Sequence, residues 1–221
     1  MRNKNDKMKF LYESDIYGVV ERIDNVYNVV TKRLIPAFSS IQEEAENVEK
    51  NRLDEMSRAF DPEHMDESTG YEDAYHAGIH HIQLQNEMEN EFINSALTWI
   101  FHLFEKSCTE IFGTECGNKK REILQSYGID TSPDSDWHKC NKEMRILANA
   151  IKHGPGPSHT EAEKLRPDLF RDSQSFLTGN RICVPEVELD NYKNIMRSFW
   201  VDFFTTWWNE NMNGTLKLPT N

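Results

Sequence analysis

Apolar residues recur every three or four positions along most of the chain, and this helical periodicity is the feature that most constrains the fold. The densest stripe runs through residues 186–211, and a second stripe, with regular steps of three and four, runs through 136–153. Side chains at these spacings share one face of a helix, so both segments are predicted to be core helices. The stripes consist of Tyr192, Ile195, Met196, Phe199, Trp200, Phe203, Phe204 and Trp207, and of Trp137, Cys140, Met144, Leu147 and Ile151.

Weaker stripes predict further helices, over residues 14–34, 41–60, 74–113 and 118–127. The acidic stretch 61–73 is predicted to be a loop, and 155–185 a largely irregular insert or lid before the last helix. Residues 181–189 hold either a short strand or an extended lead into that helix. The sequence therefore predicts an all-α fold, a single up-and-down helical bundle of five or six helices, in one domain over 1–221.

The net charge of −12 argues against a protein that binds nucleic acid without regard to sequence. The charge is unevenly distributed, however. Residues 1–115 carry 11 Lys and Arg against 23 Asp and Glu, whereas residues 116–181 carry 11 against 9. A ligand that bears phosphate would be repelled least by the second of these segments.

The chain holds no run of 18 apolar residues and does not start with the apolar run of a signal peptide, so we expect no membrane association. The simplest expected location is the cytoplasm of a microbe. The four cysteines, Cys108, Cys116, Cys140 and Cys183, form no CxxC pair, so a zinc knuckle is not expected and the thiols are predicted to be free.

The end of the predicted helix 136–153 reads "EMRILANAIKHG" and carries an unusual polar strip. At 100° per residue, Arg145, Asn149 and His153 fall on one ribbon, with Lys152 beside His153. A helix C-terminus accounts for Lys152 and His153, since cations favour the negative end of the helix dipole and the following Gly-Pro ends the helix. It does not account for Arg145, which has no charged partner four residues away, or for Asn149, because asparagine is a poor residue for a helix interior.

The chemistry of this set suits cleavage of RNA without a metal. Histidine transfers protons near neutral pH, arginine stabilises charge on a phosphate oxygen, and asparagine orients either partner. The ribose 2′-hydroxyl would supply the nucleophile. No carboxylate cluster in the neighbouring sequence predicts a metal site, so neither a metal nor a cofactor is expected.

The stretch "EMRILANAIKHG" resembles the signature helix of the HEPN superfamily, whose motif is an Arg, four to six residues with a polar residue often directly after the Arg, and a His. The resemblance implies an all-α bundle, often dimeric, and in many members a metal-independent ribonuclease of toxin–antitoxin, CRISPR or phage-defence systems. Carried over, Arg145 is the motif Arg, His153 the motif His and Asn149 the polar residue between them. Here seven residues separate Arg145 from His153, and Ile146 follows the Arg.

Two functions follow from this resemblance. The first is an endoribonuclease in which Arg145, Asn149 and His153 are catalytic and Lys152 binds the substrate, with RNA rather than DNA as the substrate. The expected partners are a second copy of the chain and an antitoxin or other defence protein. The second is a non-catalytic HEPN-like module that binds a nucleotide or a partner protein through the same ribbon. Either a dimer brings Arg145 of one chain to His153 of the other, or Asn149, Lys152 and His153 form the site alone.

Three other patterns have simpler interpretations. His76 and His80 have the i, i+4 spacing of a metal-binding pair, with Glu72 or Asp73 as a third ligand, but such pairs usually lie on a solvated helix start. The run "NEMENEF" is interpreted as a solvated face. The run "FWVDFFTTWW" is interpreted as core rather than as a platform for stacking bases, with Trp208 at a dimer surface as an alternative.

Overall fold

The computed structural model describes residues 9–64, 66–171, 181–212 and 216, and it confirms the all-α prediction of a helical bundle. The helices are α1 (Glu13–Val29), α2 (Ile41–Ala59), α3 (Glu67–Phe112), α4 (Gly117–Ser126), α5 (Asp136–His138), α6 (Arg145–His153), α7 (Pro157–Leu165) and α8 (Glu186–Asn211). π-helical turns extend α1 over Val30–Leu34 and link α5 to α6 over Lys139–Met144, and 3-10 turns cover Ile35–Phe38 and Pro167–Leu169. Two short strands, β1 (Phe170–Arg171) and β2 (Arg181–Ile182), pair antiparallel. In the described part of the chain, no helix combines the length and apolar character that crossing a membrane requires.

The described residues form two compact units. The core unit comprises those up to Val29 and from Ile93 onward, and the hairpin unit is Val30–Phe92. Helix α3 contributes its first part to the hairpin unit and its last part to the core unit.

The core unit is built around the aromatic face of α8. The side chains of Phe199, Trp200 and Phe203 are at most 2% exposed. From α3, Phe104 packs against this face, with its ring centroid 5.6 Å from that of Phe199 and 5.8 Å from that of Trp200. From α5, Trp137 packs 5.5 Å from Phe199. The aromatic stripe is therefore core, as its spacing predicts, and it fixes the positions of the helices around α8.

The two long elements of the hairpin unit are α2 and the first part of α3, which run antiparallel. Near one end Glu44 lies 3.2 Å from His81, and near the other the Met56 side chain lies against Gly70. Helix α3 begins at Glu67, whereas the sequence predicts a loop over 61–73. The earlier start has a local cause, since the Asp66 carboxylate accepts a hydrogen bond from the backbone N–H of Ser68 and so caps the first turn.

The segment 155–185 is more ordered than its composition predicts. Residues Pro157–Leu165 form α7, which packs against α6, and β1 and β2 follow. Pro157 occupies the first turn of α7, where its fixed φ favours a helix, and Ala162 is fully buried. The interpretation as a largely irregular insert is thus wrong for 157–165, while residues 172–180 lie outside the described residues.

Candidate functional site

Helix α6 follows α5 through the π-helical turn Lys139–Met144. The run starts at Ser135, whose Oγ accepts a hydrogen bond of 3.2 Å from the backbone N–H of His138 and caps α5. A π-helical turn holds more residues per turn than an α-helix, so it changes the face on which the following residues lie, and such turns are frequent at functional sites. Cys140 and Met144 within it are fully buried, which anchors the turn in the core unit.

Helix α6 has one buried side and one exposed side. The exposed side carries the predicted ribbon: Arg145, Lys152 and His153 are exposed and Asn149 is half-buried. These four side chains form no hydrogen bond or ion pair with the described residues. They are therefore available to a ligand, and no neighbouring carboxylate neutralises Arg145 or Lys152. The buried side consists of Ile146, Leu147, Ala148 and Ala150.

The end of α6 is fixed by Gly154, which has a φ of +67° and a ψ of −153°. Its backbone N–H donates to the carbonyl oxygen of Ala150 at 3.0 Å. A residue with a Cβ rarely adopts this conformation, so glycine ends the helix directly after His153. The helix end that the Gly-Pro sequence predicts is therefore present, and it leaves the imidazole exposed at the last turn.

The ribbon does not bring all of its members together within one chain. Arg145 and His153 lie eight residues apart on α6, which corresponds to about 12 Å along the helix axis. Helical side chains lean toward the helix N-terminus, so His153 leans toward Asn149 while Arg145 leans away from both. Asn149, Lys152 and His153 form the closer group, within about 6 Å along the axis.

A partly buried charge cluster lies next to this helix, and the sequence did not predict it. Arg166, between α7 and the following 3-10 turn, donates from Nη1 to a carboxylate oxygen of Glu143 at 3.1 Å and to the hydroxyl of Tyr192 at 2.7 Å. Its Nη2 lies 2.7 Å from Asp168 and 3.1 Å from Glu188. The Tyr192 hydroxyl in turn donates to Glu143.

The cluster joins three parts of the core unit, because Glu143 lies in the π-helical turn, Arg166 follows α7 and Tyr192 lies on α8. Hydrogen bonding to Asp168 raises the pKa of Arg166 above its ordinary value, and the same contact lowers the pKa of Asp168. Burial, followed by the hydrogen bond to Glu143, raises the pKa of Tyr192. These groups hold the base of α6 in place rather than face a ligand, since the Tyr192 side chain is 1% exposed. In the sequence, the cluster is indicated only by the charged segment "LRPD", and this segment does not show which residues pair with Arg166.

The structure also places the other predicted candidates. His76 and His80 lie exposed on α3, and His81 pairs with Glu44 at 3.2 Å. Among the described residues, no three His, Cys, Asp or Glu side chains converge in a way that would hold a metal ion. Of the acidic run, Glu87 and Glu91 are exposed and Glu89 is half-buried. Trp208 is half-buried at the end of α8.

All four cysteines are free thiols. Cys108, Cys140 and Cys183 are buried, whereas Cys116 is exposed directly before α4. The backbone N–H groups of Lys119 and Asn118 donate to Cys116 and lower the pKa of its thiol, while burial raises the pKa of Cys108 and Cys140.

Comparison with known proteins yields no relative: no family model matches the chain, no curated protein matches its sequence and no solved structure matches its fold. The resemblance to the HEPN superfamily therefore depends on the residues of α6 and on the helical pattern around them.

Proposed function

We propose that the chain is a metal-independent endoribonuclease of the HEPN type. In this proposal His153 is the general acid or base, Arg145 holds the scissile phosphate, Asn149 orients the reacting groups and Lys152 binds the RNA backbone. The base removes the proton of the ribose 2′-hydroxyl, whose oxygen attacks the adjacent phosphorus. The bond to the 5′-oxygen breaks and that oxygen takes up a proton, which leaves a 2′,3′-cyclic phosphate and a 5′-hydroxyl.

The observation that carries the proposal is the exposed and unpaired ribbon on α6. An arginine, a lysine and a histidine side chain lie on one side of one short helix, without a partner among the described residues. No described carboxylate offsets the charge of Arg145 or Lys152 on this side of α6, although the whole chain has a net charge of −12. Unpaired cations attract phosphate more strongly than paired ones do, which favours RNA as the ligand of this surface.

We further propose that the protein is a homodimer, and the geometry of α6 supports this proposal. The ribbon lies on the outside of one helix, so it offers contacts to a substrate from one side only. Because Arg145 leans away from His153 on the same helix, a second copy that presents its own α6 would bring an Arg145 to a His153 and enclose the phosphate between the two chains. The proposed setting is the microbial cytoplasm, with an antitoxin or defence protein as the regulating partner.

The test is cleavage of a panel of single-stranded and structured RNAs in the presence of EDTA. The wild-type chain is expected to give fragments with 2′,3′-cyclic phosphate ends, and His153→Ala and Arg145→Ala are expected to lower the rate by at least about 100-fold. His64→Ala, which removes an exposed histidine from the hairpin unit, is the matched control and should retain the wild-type rate.

The overall acidity of the chain, with its net charge of −12, favours the second function, a non-catalytic module. The separation of Arg145 and His153 by about 12 Å along the axis of α6 suits an extended contact with a protein or nucleotide as well as it suits a composite active site. If the folded wild-type protein cleaves no RNA of the panel, the ribonuclease proposal is wrong. If the protein also binds a nucleotide or a protein, and His153→Ala abolishes that binding, the chain is a non-catalytic binding module.

A further inference from the structure

The hairpin unit holds most of the acidity of the protein. Residues 30–92 carry five Lys and Arg against 15 Asp and Glu, a net charge of −10 out of −12 for the whole chain. A surface of this charge repels RNA, and it also repels a second copy of itself. The ligand that its electrostatics favour is a basic one, and this part of the molecule is separate in sequence from the ribbon on α6.

A small cavity lies near the end of this hairpin. Its volume is about 150 Å³, and its floor is formed by Leu53 and Met56 of α2. Gly70 of α3 faces Met56, and a Cβ at this position would lie 3.5 Å from the Met56 Cε, an ordinary van der Waals contact. A bulky side chain such as leucine at position 70 would therefore extend toward Met56 and occupy part of the cavity. A cavity of about this volume holds a group roughly the size of benzene, which corresponds to one side chain of a partner.

The walls of the cavity combine two aromatic rings with one carboxylate. Phe60 and Tyr71 are 41% and 59% exposed, although both line the cavity and large aromatic side chains are usually more buried. Asp66 also lines the cavity, and its Oδ1 accepts a hydrogen bond of 3.0 Å from the backbone N–H of Ser68. Its Oδ2 forms no hydrogen bond with the described residues, so it is available to a donor.

We propose that this cavity receives one arginine side chain from a basic segment of a partner protein. The aliphatic stem of the arginine would lie against Leu53 and Met56, its guanidinium would stack on Phe60 or Tyr71, and Asp66 would accept its hydrogen bonds. Neighbouring Lys or Arg residues of the partner would face the acidic surface of the hairpin unit. Arginine fits better than lysine, since its planar guanidinium both stacks on a ring and donates in a fixed geometry.

The experiment measures fluorescence anisotropy of a labelled nona-arginine peptide titrated with the full chain at physiological ionic strength, with nona-lysine for comparison. Saturable binding is expected, tighter for nona-arginine. Asp66→Asn and Gly70→Leu are expected to weaken it by about tenfold each, the first by removing the carboxylate and the second by filling the cavity. Glu43→Gln makes the same charge change as Asp66→Asn but lies 13 residues from Met56 on α2, about 20 Å away, and should weaken binding less than twofold.

Equal weakening by Glu43→Gln and Asp66→Asn would overturn the proposal, because binding would then depend on net charge alone. Unimpaired binding by Gly70→Leu, in protein whose circular dichroism and thermal unfolding match the wild type, would also overturn it. Analytical ultracentrifugation of the same variants tests whether a second copy of the chain, rather than a basic partner, fills the cavity. If the wild type is a dimer and Gly70→Leu is a monomer, a second copy fills the cavity and the proposal is wrong. These outcomes are independent of RNA cleavage, which His153→Ala tests separately.

Discussion

The guanidinium of Arg166 lies 3.1 Å from a carboxylate oxygen of Glu143, although 23 residues separate them in the sequence. Glu143 lies in the π-helical turn that leads into α6, and Arg166 lies at the end of α7. The contact therefore closes the α6–α7 hairpin at the end opposite to Gly154 and fixes the orientation of the helix that carries Arg145 and His153. It connects a stabilising cluster to the proposed active site without placing Arg166 in that site.

Arg166→Ala is expected to lower the free energy of unfolding by about 2–4 kcal/mol, because it leaves the carboxylates of Glu143 and Glu188 partly buried without a cation. The estimate is below that for a fully buried pair, since both carboxylates retain some solvent. Urea unfolding followed by circular dichroism measures the loss. Arg145→Ala removes the same side chain from an exposed position and should change stability by at most about 0.5 kcal/mol. Similar losses in the two variants would contradict the assigned role of Arg166.

Gly154→Ala is expected to destabilise the fold by about 1–3 kcal/mol, because alanine must adopt a φ of +67°. A Cβ would meet no atom within 4 Å at this position, so backbone strain is the only expected cause. Gly156→Ala is the matched control, since its φ of 163° is extended backbone and a Cβ there also meets nothing within 4 Å. Thermal unfolding compares the two variants, and a larger loss for Gly156→Ala would contradict the role of Gly154.

Tyr192 is expected to make the folded chain less stable as the pH rises above about 10. Its pKa is raised in the folded chain by burial and by Glu143, so the folded state keeps the proton that the unfolded state loses above about pH 10. The stabilisation that the protonated Tyr192 provides is fully present below about pH 10 and is lost as the pH rises toward the pKa of the folded state. The free energy of unfolding then falls by up to about 1.4 kcal/mol per pH unit. Tyr27, whose pKa is raised to about 12, acts in the same direction.

The measurement is urea unfolding of wild type and Tyr192→Phe between pH 8 and 11. The variant is expected to be less stable at pH 8 but to lose less stability as the pH rises. Tyr75→Phe, which changes an exposed tyrosine, should keep the wild-type slope. A Tyr192→Phe slope equal to that of the wild type would show that the hydroxyl is not protected in the folded state.

Cys116 is expected to be the one thiol of the four that iodoacetamide alkylates rapidly in the native protein. It is exposed, and the N–H groups at the start of α4 lower its pKa, which increases the thiolate fraction. Mass spectrometry should find one modified cysteine per native chain and four in urea. Cys116→Ser should leave the native chain unmodified, and rapid labelling of Cys108 or Cys140 in that variant would contradict the buried positions of these thiols.

Mixing two inactive variants tests how the proposed ribonuclease site is assembled. If a second copy supplies Arg145 to His153, a heterodimer of Arg145→Ala and His153→Ala chains contains one intact site. An equimolar mixture of exchanging subunits should then regain about a quarter of the wild-type RNA cleavage. If the site lies within one chain, both sites of the heterodimer are defective and no activity returns. Unmixed single variants, incubated in the same way, are the control.

Much of the fold follows from the sequence, because helical periodicity is a local property. The last helix is predicted over 186–211 and found at Glu186–Asn211, and the stripe from Trp137 to Leu147 is buried as its spacing requires. The helix end after His153 is also determined locally, since Gly154 and Pro155 follow it. The ribbon on the exposed side of α6 could be predicted for the same reason, because 100° per residue decides which residues share a side.

Tertiary structure decided what depends on neighbours far away in the chain. Trp99 and Phe104 are both large aromatic residues of α3, yet Trp99 is 54% exposed and Phe104 is 2% exposed, since of the two only Phe104 packs against the aromatic face of α8. The pairing of Arg166 with Glu143 and Tyr192 required α7 and α8 to be in place. The sequence by itself determined which residues form helices and which sides of them are apolar. The packing of those helices decided which apolar sides are buried and which charges are neutralised, because both depend on atoms that come close only when the chain is folded.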